Sequence, residues 1–168
     1  MEIPEGIELK IEGNRIIGSS KGKTSFYEFN DKFLTAKITG KDFEVATKEK
    51  KERRKLHAMK NAVEAHVKNL FNGLTKGFEK KLQVVYAHFP VSIETKGEYI
   101  LIKNFLGEKL PRKAKIVGQT LVKTTGQDIT VSGINPDDVG QTAANIVTAT
   151  KIKEKDVRVF QDGIYLVK

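Results

Sequence analysis

"TGQDITV", residues 125–131, repeats "TGKDFEV", residues 39–45: threonine, glycine, aspartate and valine return at the same spacing, and Ile129 stands opposite Phe43. Upstream, "IELKIEGNRII" at 7–17 aligns with "VSIETKGEYIL" at 91–101, Gly13 with Gly97 and Ile16 with Ile100. The shift is 86 residues in the first pair and 84 in the second. A period this long, met twice, reads as two copies of one domain rather than as a solenoid, whose units are shorter and more numerous.

In the first copy Ile7, Leu9 and Ile11 alternate with charged residues, Gly13-Asn14 supplies a turn, and Phe43 and Val45 alternate again, which predicts strands. A helix is expected from about Lys48 to Phe71. There Leu56, Met59, Val63, Val67, Leu70 and Leu74 form one apolar stripe, with Gly73 placed to end it. The second copy reads the same way, with strands at Tyr99–Lys103, Ala114–Val117 and Ile129–Val131. Its helix starts where Asn135 can cap, Pro136 suits the first helical position and Asp137 and Asp138 meet the positive end of the dipole. Val139, Ala143, Ile146 and Ala149 or Thr150 form its buried stripe. The tail, "VRVFQDGIYLV" at 157–167, alternates around Asp162-Gly163, a hairpin signal. Strands in a run followed by one helix define an α+β layer, an antiparallel sheet with a helix packed on one face. Two such repeats are expected, in residues 1–81 and 82–168, and the sheet face or edge without a helix is where a partner would bind.

With 39% apolar and 30% charged residues the 168-residue chain can bury a core, which excludes wholesale disorder. Its 30 Lys+Arg against 21 Asp+Glu leave a formal charge of +9. Residues 1–81 hold 18 basic and 12 acidic side chains and residues 82–168 hold 12 and 9, so the excess is not confined to one tail. Such a balance favours a polyanionic partner. The lack of cysteine excludes disulfides, thiolate metal sites and cysteine nucleophiles. "MEIPEG" lacks the pattern of a signal peptide, and no stretch nears the roughly 18 apolar residues of a membrane span. A cytoplasmic protein without a membrane partner is expected.

Little in the chain points to catalysis. "GSSKGKT" at 18–24 ends like a phosphate-binding loop, but only three residues separate Gly18 from Gly22 and the following "SFYEF" reads as a strand, so a hairpin turn is the better reading. His57, His66 and His88 are too far apart in sequence for a helical metal pair. Asp137 and Asp138 are accounted for by the helix start. No enzyme activity, cofactor, metal or small-molecule substrate is expected.

The basic clusters point elsewhere. "KEKKERRK" at 48–55 suits a solvated helix turn, although cations there oppose the dipole. Around "NFLGEKLPRKAKIVG" at 104–118, Lys113 and Lys115 fall on one strand face while Ala114 and Ile116 point into the core. Arg112 follows Pro111 at the strand entry. Like charges on one face repel, a cost that a nucleic-acid backbone would offset. The tail adds Lys151, Lys153, Lys155 and Arg158, with Phe160 and Tyr165 suited to stacking on a base or sugar.

"YAHFPV" at 86–91, "NFLGEKLPRKAKIVG", "DVGQTAANI" at 138–146 and "RVFQDGIYLV" at 158–167 together resemble the sixth universal large-subunit ribosomal protein in its archaeal and eukaryotic form, as does the opening "IPEGIELKIEGNRI". The resemblance spans the chain. It implies two tandem α+β domains and a structural role. It also implies binding to large-subunit ribosomal RNA, chiefly through the C-terminal domain, near the sarcin-ricin loop and the stalk base. Neighbouring ribosomal proteins and translational GTPases would lie close by. Carried onto this chain, the implied contacts are Lys103, Asn104, Lys109, Arg112, Lys113 and Lys115, then Arg158, Phe160, Gln161 and Tyr165. A free-standing RNA-binding module is the alternative.

Overall fold

Glycine turns set the strand order in both copies. In the computed structural model, which describes residues 1–40, 42–48, 54–86 and 89–167, β1 (Glu8–Glu12) and β2 (Arg15–Ser20) are joined through Gly13 at φ 60°. Register Glu12↔Arg15 leaves a two-residue loop, and glycine at its first position is what a type II′ turn demands. β3 (Lys23–Glu28) completes a meander in the order β1-β2-β3, turning through Lys21 and Gly22 at φ 48° and 78°. The "GSSKGKT" stretch is thus a hairpin with no helix after it. β4 (Leu34–Thr39) and β5 (Asp42–Thr47) form a second hairpin through Gly40, and α1 (Arg54–Thr75) packs on β2, β3 and β5.

α1 buries Leu56, Val63, Val67, Leu70, Phe71 and Leu74, and Ile16, Leu34, Phe43 and Val45 are buried on the strands of the same unit. Each fully buried aliphatic side chain contributes about 1.5–3 kcal/mol, so this stripe outweighs any weak propensity along the helix. β2 lies so close that a Cβ on Gly18 would sit 2.3 Å from Leu70 Cδ2. The helix ends later than Gly73, which is buried inside its last turn. Instead the Lys76 and Gly77 N–H groups both donate to the Asn72 carbonyl and Gly77 adopts φ 76°. Residues 49–53 of the 48–55 charge run, and His88, lie outside the described residues.

The second unit repeats this order. After β6 (Phe78–Val85) come β7 (Ser92–Lys96), β8 (Tyr99–Lys103) and β9 (Arg112–Lys115), a meander turning through Gly97 at φ 59°. β10 (Leu121–Thr125) and β11 (Asp128–Gly133) form the hairpin that the opening repeat encodes, turning through Gly126 as β4 and β5 do through Gly40. α2 (Pro136–Ala149) follows; the Asn135 side chain accepts from the Asp137 N–H at 3.1 Å, and Val139, Ala143, Ile146 and Thr150 are buried. β12 (Gly163–Leu166) closes a four-stranded sheet, β10-β11-β6-β12.

β6 flanks β11, pairing Ile129↔Leu82 and Val131↔Lys80. In the first unit the matching flank of β5 is taken by the chain start: Glu2 bridges Asp42, and the Phe43 N–H donates to the Met1 carbonyl at 2.8 Å. Each copy therefore begins with the segment that flanks its own hairpin. The units are Met1–Gly77 and Phe78–Lys168, not 1–81 and 82–168, because Phe78–Lys81 belong to the ladder of the second sheet.

The tail also departs from expectation. Asp162-Gly163 is not a hairpin tip: the Val159 and Phe160 N–H groups turn back to the Asp156 carbonyl, Asp162 is 1% exposed, and Gly163 opens β12 opposite Val85. Two contacts impose this course. The Ile164 N–H donates to the Thr150 hydroxyl at 3.1 Å, and the Tyr165 hydroxyl donates to the Gln161 carbonyl at 3.0 Å.

Candidate nucleic-acid interface

Strand parity builds the site. In the β7-β8-β9 sheet the inward positions Ile100, Ile102 and Ala114 are buried among Leu82, Ile129 and Ile146. Directly opposed residues of an antiparallel pair share a face, so the outward face can be read from the register. One outward row is Lys96, Tyr99 and Lys115; the next is Glu94, Leu101 and Lys113; the third pairs Ser92 with Lys103. Glu94 ion-pairs with Lys103 at 2.6 Å, so each offsets the other. Lys96, Lys113 and Lys115 remain exposed without an acidic partner among the described residues. Tyr99 stands between two of them, 44% exposed.

Lys113 and Lys115 thus point outward as the alternation required. Arg112 does not join them. Its parity is that of Ala114, and its guanidinium lies 4.4 Å over the buried Phe105 ring. Nε and Nη2 grip Glu108 at 2.9 and 2.6 Å, while Nη1 donates to the Ala149 and Lys151 carbonyls at 3.0 and 3.1 Å. α2 carries no basic residue in its own last turn, so β9 supplies the cation that its carbonyl end favours. The hydrogen bond from Arg112 holds the Glu108 carboxyl below the usual carboxylate range, aided by the guanidinium charge and opposed by desolvation. Arg112 therefore ties loop 104–111 to the start of the tail, which brings the two basic clusters together.

Within that loop Asn104 sits at φ 59° and its Nδ2 donates to the Pro90 carbonyl at 3.0 Å. Lys109 is exposed, and Leu110 beside it is 82% exposed. In the tail Lys151, Lys153, Lys155 and Arg158 are all exposed, and Lys155 lies 4.8 Å over the Phe160 ring. Phe160, Tyr165, Ile152 and Val157 line a cleft of about 450 Å³ with Lys151 at its rim. Gln161 serves locally, its carbonyl taking the Tyr165 hydroxyl.

Lys96 and Tyr99 escaped the reading of the sequence as site residues. The signal was present in the Gly97-Glu98 turn, since a two-residue loop puts Lys96 opposite Tyr99 and parity then aligns both with Lys115. Among the described residues no group of three or more His, Asp or Glu is placed to hold a metal, and no helix is long and apolar enough to cross a membrane. His66 stacks on Tyr27, ring centroids 4.3 Å apart.

These features define a class: a duplicated α+β protein whose second copy presents a cationic sheet face with an exposed aromatic on its middle strand. The family model described as ribosomal protein L6 matches residues 89–163. The large ribosomal subunit protein uL6 of Methanosarcina mazei is 45% identical over 168 residues, covering all of this chain and 94% of that protein. Its counterpart in Archaeoglobus fulgidus is 43% identical over 175 residues, covering all of this chain and 87% of the relative. That of Methanobrevibacter smithii is 41% identical over 167 residues, with 99% and 93% covered. The chain belongs to the uL6 family of large-subunit ribosomal proteins, in its archaeal form. It is a structural protein, not an enzyme.

Proposed function

We propose that this structural constituent of the large ribosomal subunit binds large-subunit ribosomal RNA through the outward face of β7-β8-β9, near the sarcin-ricin loop and the stalk base. Neighbouring ribosomal proteins and docking translational GTPases would then lie close by, in the cytoplasm. One observation carries the reading: the cross-strand row Lys96, Tyr99, Lys115 beside Lys113, cations without acidic partners among the described residues, flanking an exposed ring. Lysines neutralise phosphates and release counterions, while the tyrosine offers a face to an unstacked base. Lys109, Lys151, Lys153, Lys155 and Arg158 extend the charge around the loop and tail. Lys103 and Arg112 support the surface through Glu94 and Glu108.

Binding of the full chain to purified archaeal large-subunit ribosomal RNA across a salt series tests this. Replacing Lys96, Lys113 and Lys115 together by Ala lowers the salt slope by about 2–3. Tyr99→Ala weakens binding by about 1–3 kcal/mol at an unchanged slope. An unchanged slope in the triple variant rejects this face as the site. Sedimentation away from the large subunit in moderate salt would favour the free-standing module instead.

A further inference from the structure

"DVGQTAANI", residues 138–146, sends Val139, Ala143 and Ile146 into the core, and its polar members line a second face of α2. Asp138, Gln141, Thr142 and Asn145 recur at three- and four-residue steps, and that face meets the exit of β9. The Asn145 Nδ2 donates to the Lys115 carbonyl at 2.9 Å. The Gln141 Nε2 donates to the Asn145 Oδ1 at 2.9 Å, which turns the NH2 end of that amide toward the strand. One turn back along the helix, the hydroxyl of the fully buried Thr142 accepts from the Val117 N–H at 3.0 Å. A further turn back, the Asp138 carboxylate lies so close to Gly118 that a Cβ there would sit 2.2 Å from its Oδ2. Residues 115–118 are thus held to α2 along their length.

β9 is the last strand of its sheet, so one of its sides has no strand neighbour. The Ile116 N–H donates to the Glu98 carbonyl at 2.8 Å on the paired side. Alternation turns the Lys115 carbonyl and the Val117 N–H the other way, where α2 receives them. A small residue permits this approach. Ile100 pairs with the buried Ala114, whereas Ile16, its counterpart in the first unit, pairs with Tyr27, whose ring stacks on His66 of α1. A ring spaces helix from strand; a methyl group lets an amide and a hydroxyl reach the backbone. The Lys115 side chain itself has no acidic partner among the described residues. What sets its place is the backbone that Asn145 grips, and an ordered backbone lowers the entropy lost when the lysine meets a phosphate.

We infer that Asn145, oriented by Gln141, is a positioning residue for RNA binding: from α2 it fixes the backbone out of which Lys115 reaches the RNA. The inference rests on the reading of β7-β8-β9 as the RNA-binding face, and its test separates failure of that reading from failure of its own claim. The test is a double-mutant cycle on the full chain, with purified archaeal large-subunit ribosomal RNA as the probe. Circular dichroism, recorded well below the melting transition, establishes that each variant is folded.

Asn145→Ala is expected to weaken binding about threefold or more at an unchanged salt slope, because no charge is removed. With Lys115→Ala already in place, the same change is expected to add less than about 1.5-fold, since the side chain it positions is gone. Gln141→Ala removes an exposed side chain and leaves the strand untouched; a loss of about twofold is expected, again only while Lys115 is present. That variant decides the question should Asn145→Ala fail to fold. Equal losses with and without Lys115, as a direct RNA contact or a general loosening of the fold would produce, overturn the inference. So does the absence of any loss in a protein that Lys115→Ala weakens. If Lys115→Ala leaves both affinity and slope unchanged, the RNA reading fails at this residue and the inference falls with it.

Discussion

Arg112 shows how a charge count misleads at the scale of one residue. The sequence places it in a basic run, yet its side chain occupies four acceptors and one aromatic face inside the fold. Its inward parity follows only once β9 is known to start at Arg112, and alternation alone left the strand entry undefined. The outward parity of Lys113 and Lys115 was legible because Ala114 and Ile116 between and after them are apolar. A counterintuitive outcome follows for Glu108→Gln. Removing a carboxylate makes the surface more positive, which by long-range electrostatics would tighten RNA binding. The structure predicts the reverse, binding weaker by about threefold or more with an unchanged salt slope, because loop 104–111 loses its preorganisation. The pH dependence has a definite sign. Since the folded carboxyl is held low, the grip is complete above the unfolded carboxylate value and is lost as pH falls through the folded one, which carboxyl NMR of Glu108 would follow.

At the scale of elements, the start and the buried stripe of α2 were legible because their signals are local: a capping Asn135, Pro136, two aspartates and apolar residues at helical spacing. α1 was legible in its stripe but not its end, since Gly73 serves packing and Gly77 supplies the left-handed cap. The tail was misread because what decides its course is distant in sequence. Asp162-Gly163 satisfies a local hairpin rule, but the Thr150 hydroxyl and the open edge of β6 recruit Gly163–Leu166 as a sheet strand instead. Thr150→Val keeps the shape and removes the acceptor from a buried N–H, so it should cost about 1–3 kcal/mol in thermal or denaturant unfolding. Faster hydrogen exchange at Ile164 would accompany that loss.

For the whole molecule, the repeat fixed the architecture before any strand was assigned with certainty, since matched glycines predict matched turns and Gly13, Gly40, Gly97 and Gly126 all occupy the first loop position at φ 59–63°. The boundary was hard to read: only Lys76 and Gly77 separate α1 from β6, and it is the pairing of β6 with β11 and β12 that assigns it to the second unit. A fragment beginning at Phe78 should therefore fold alone around its own buried cluster. One beginning at Leu82, deprived of the pairings of Phe78–Lys81 with β11, should melt about 10–20 °C lower, as measured by circular dichroism. The same topology sets a timetable for synthesis. The first unit has all its strands once residue 77 has emerged, whereas β6 gains its last neighbour only when Leu166 arrives, about eighty residues after Val85. At about 5–20 residues per second, Leu82 and Val84 wait roughly 4–16 s for that strand, so the nascent protein carries a finished domain ahead of an open sheet edge.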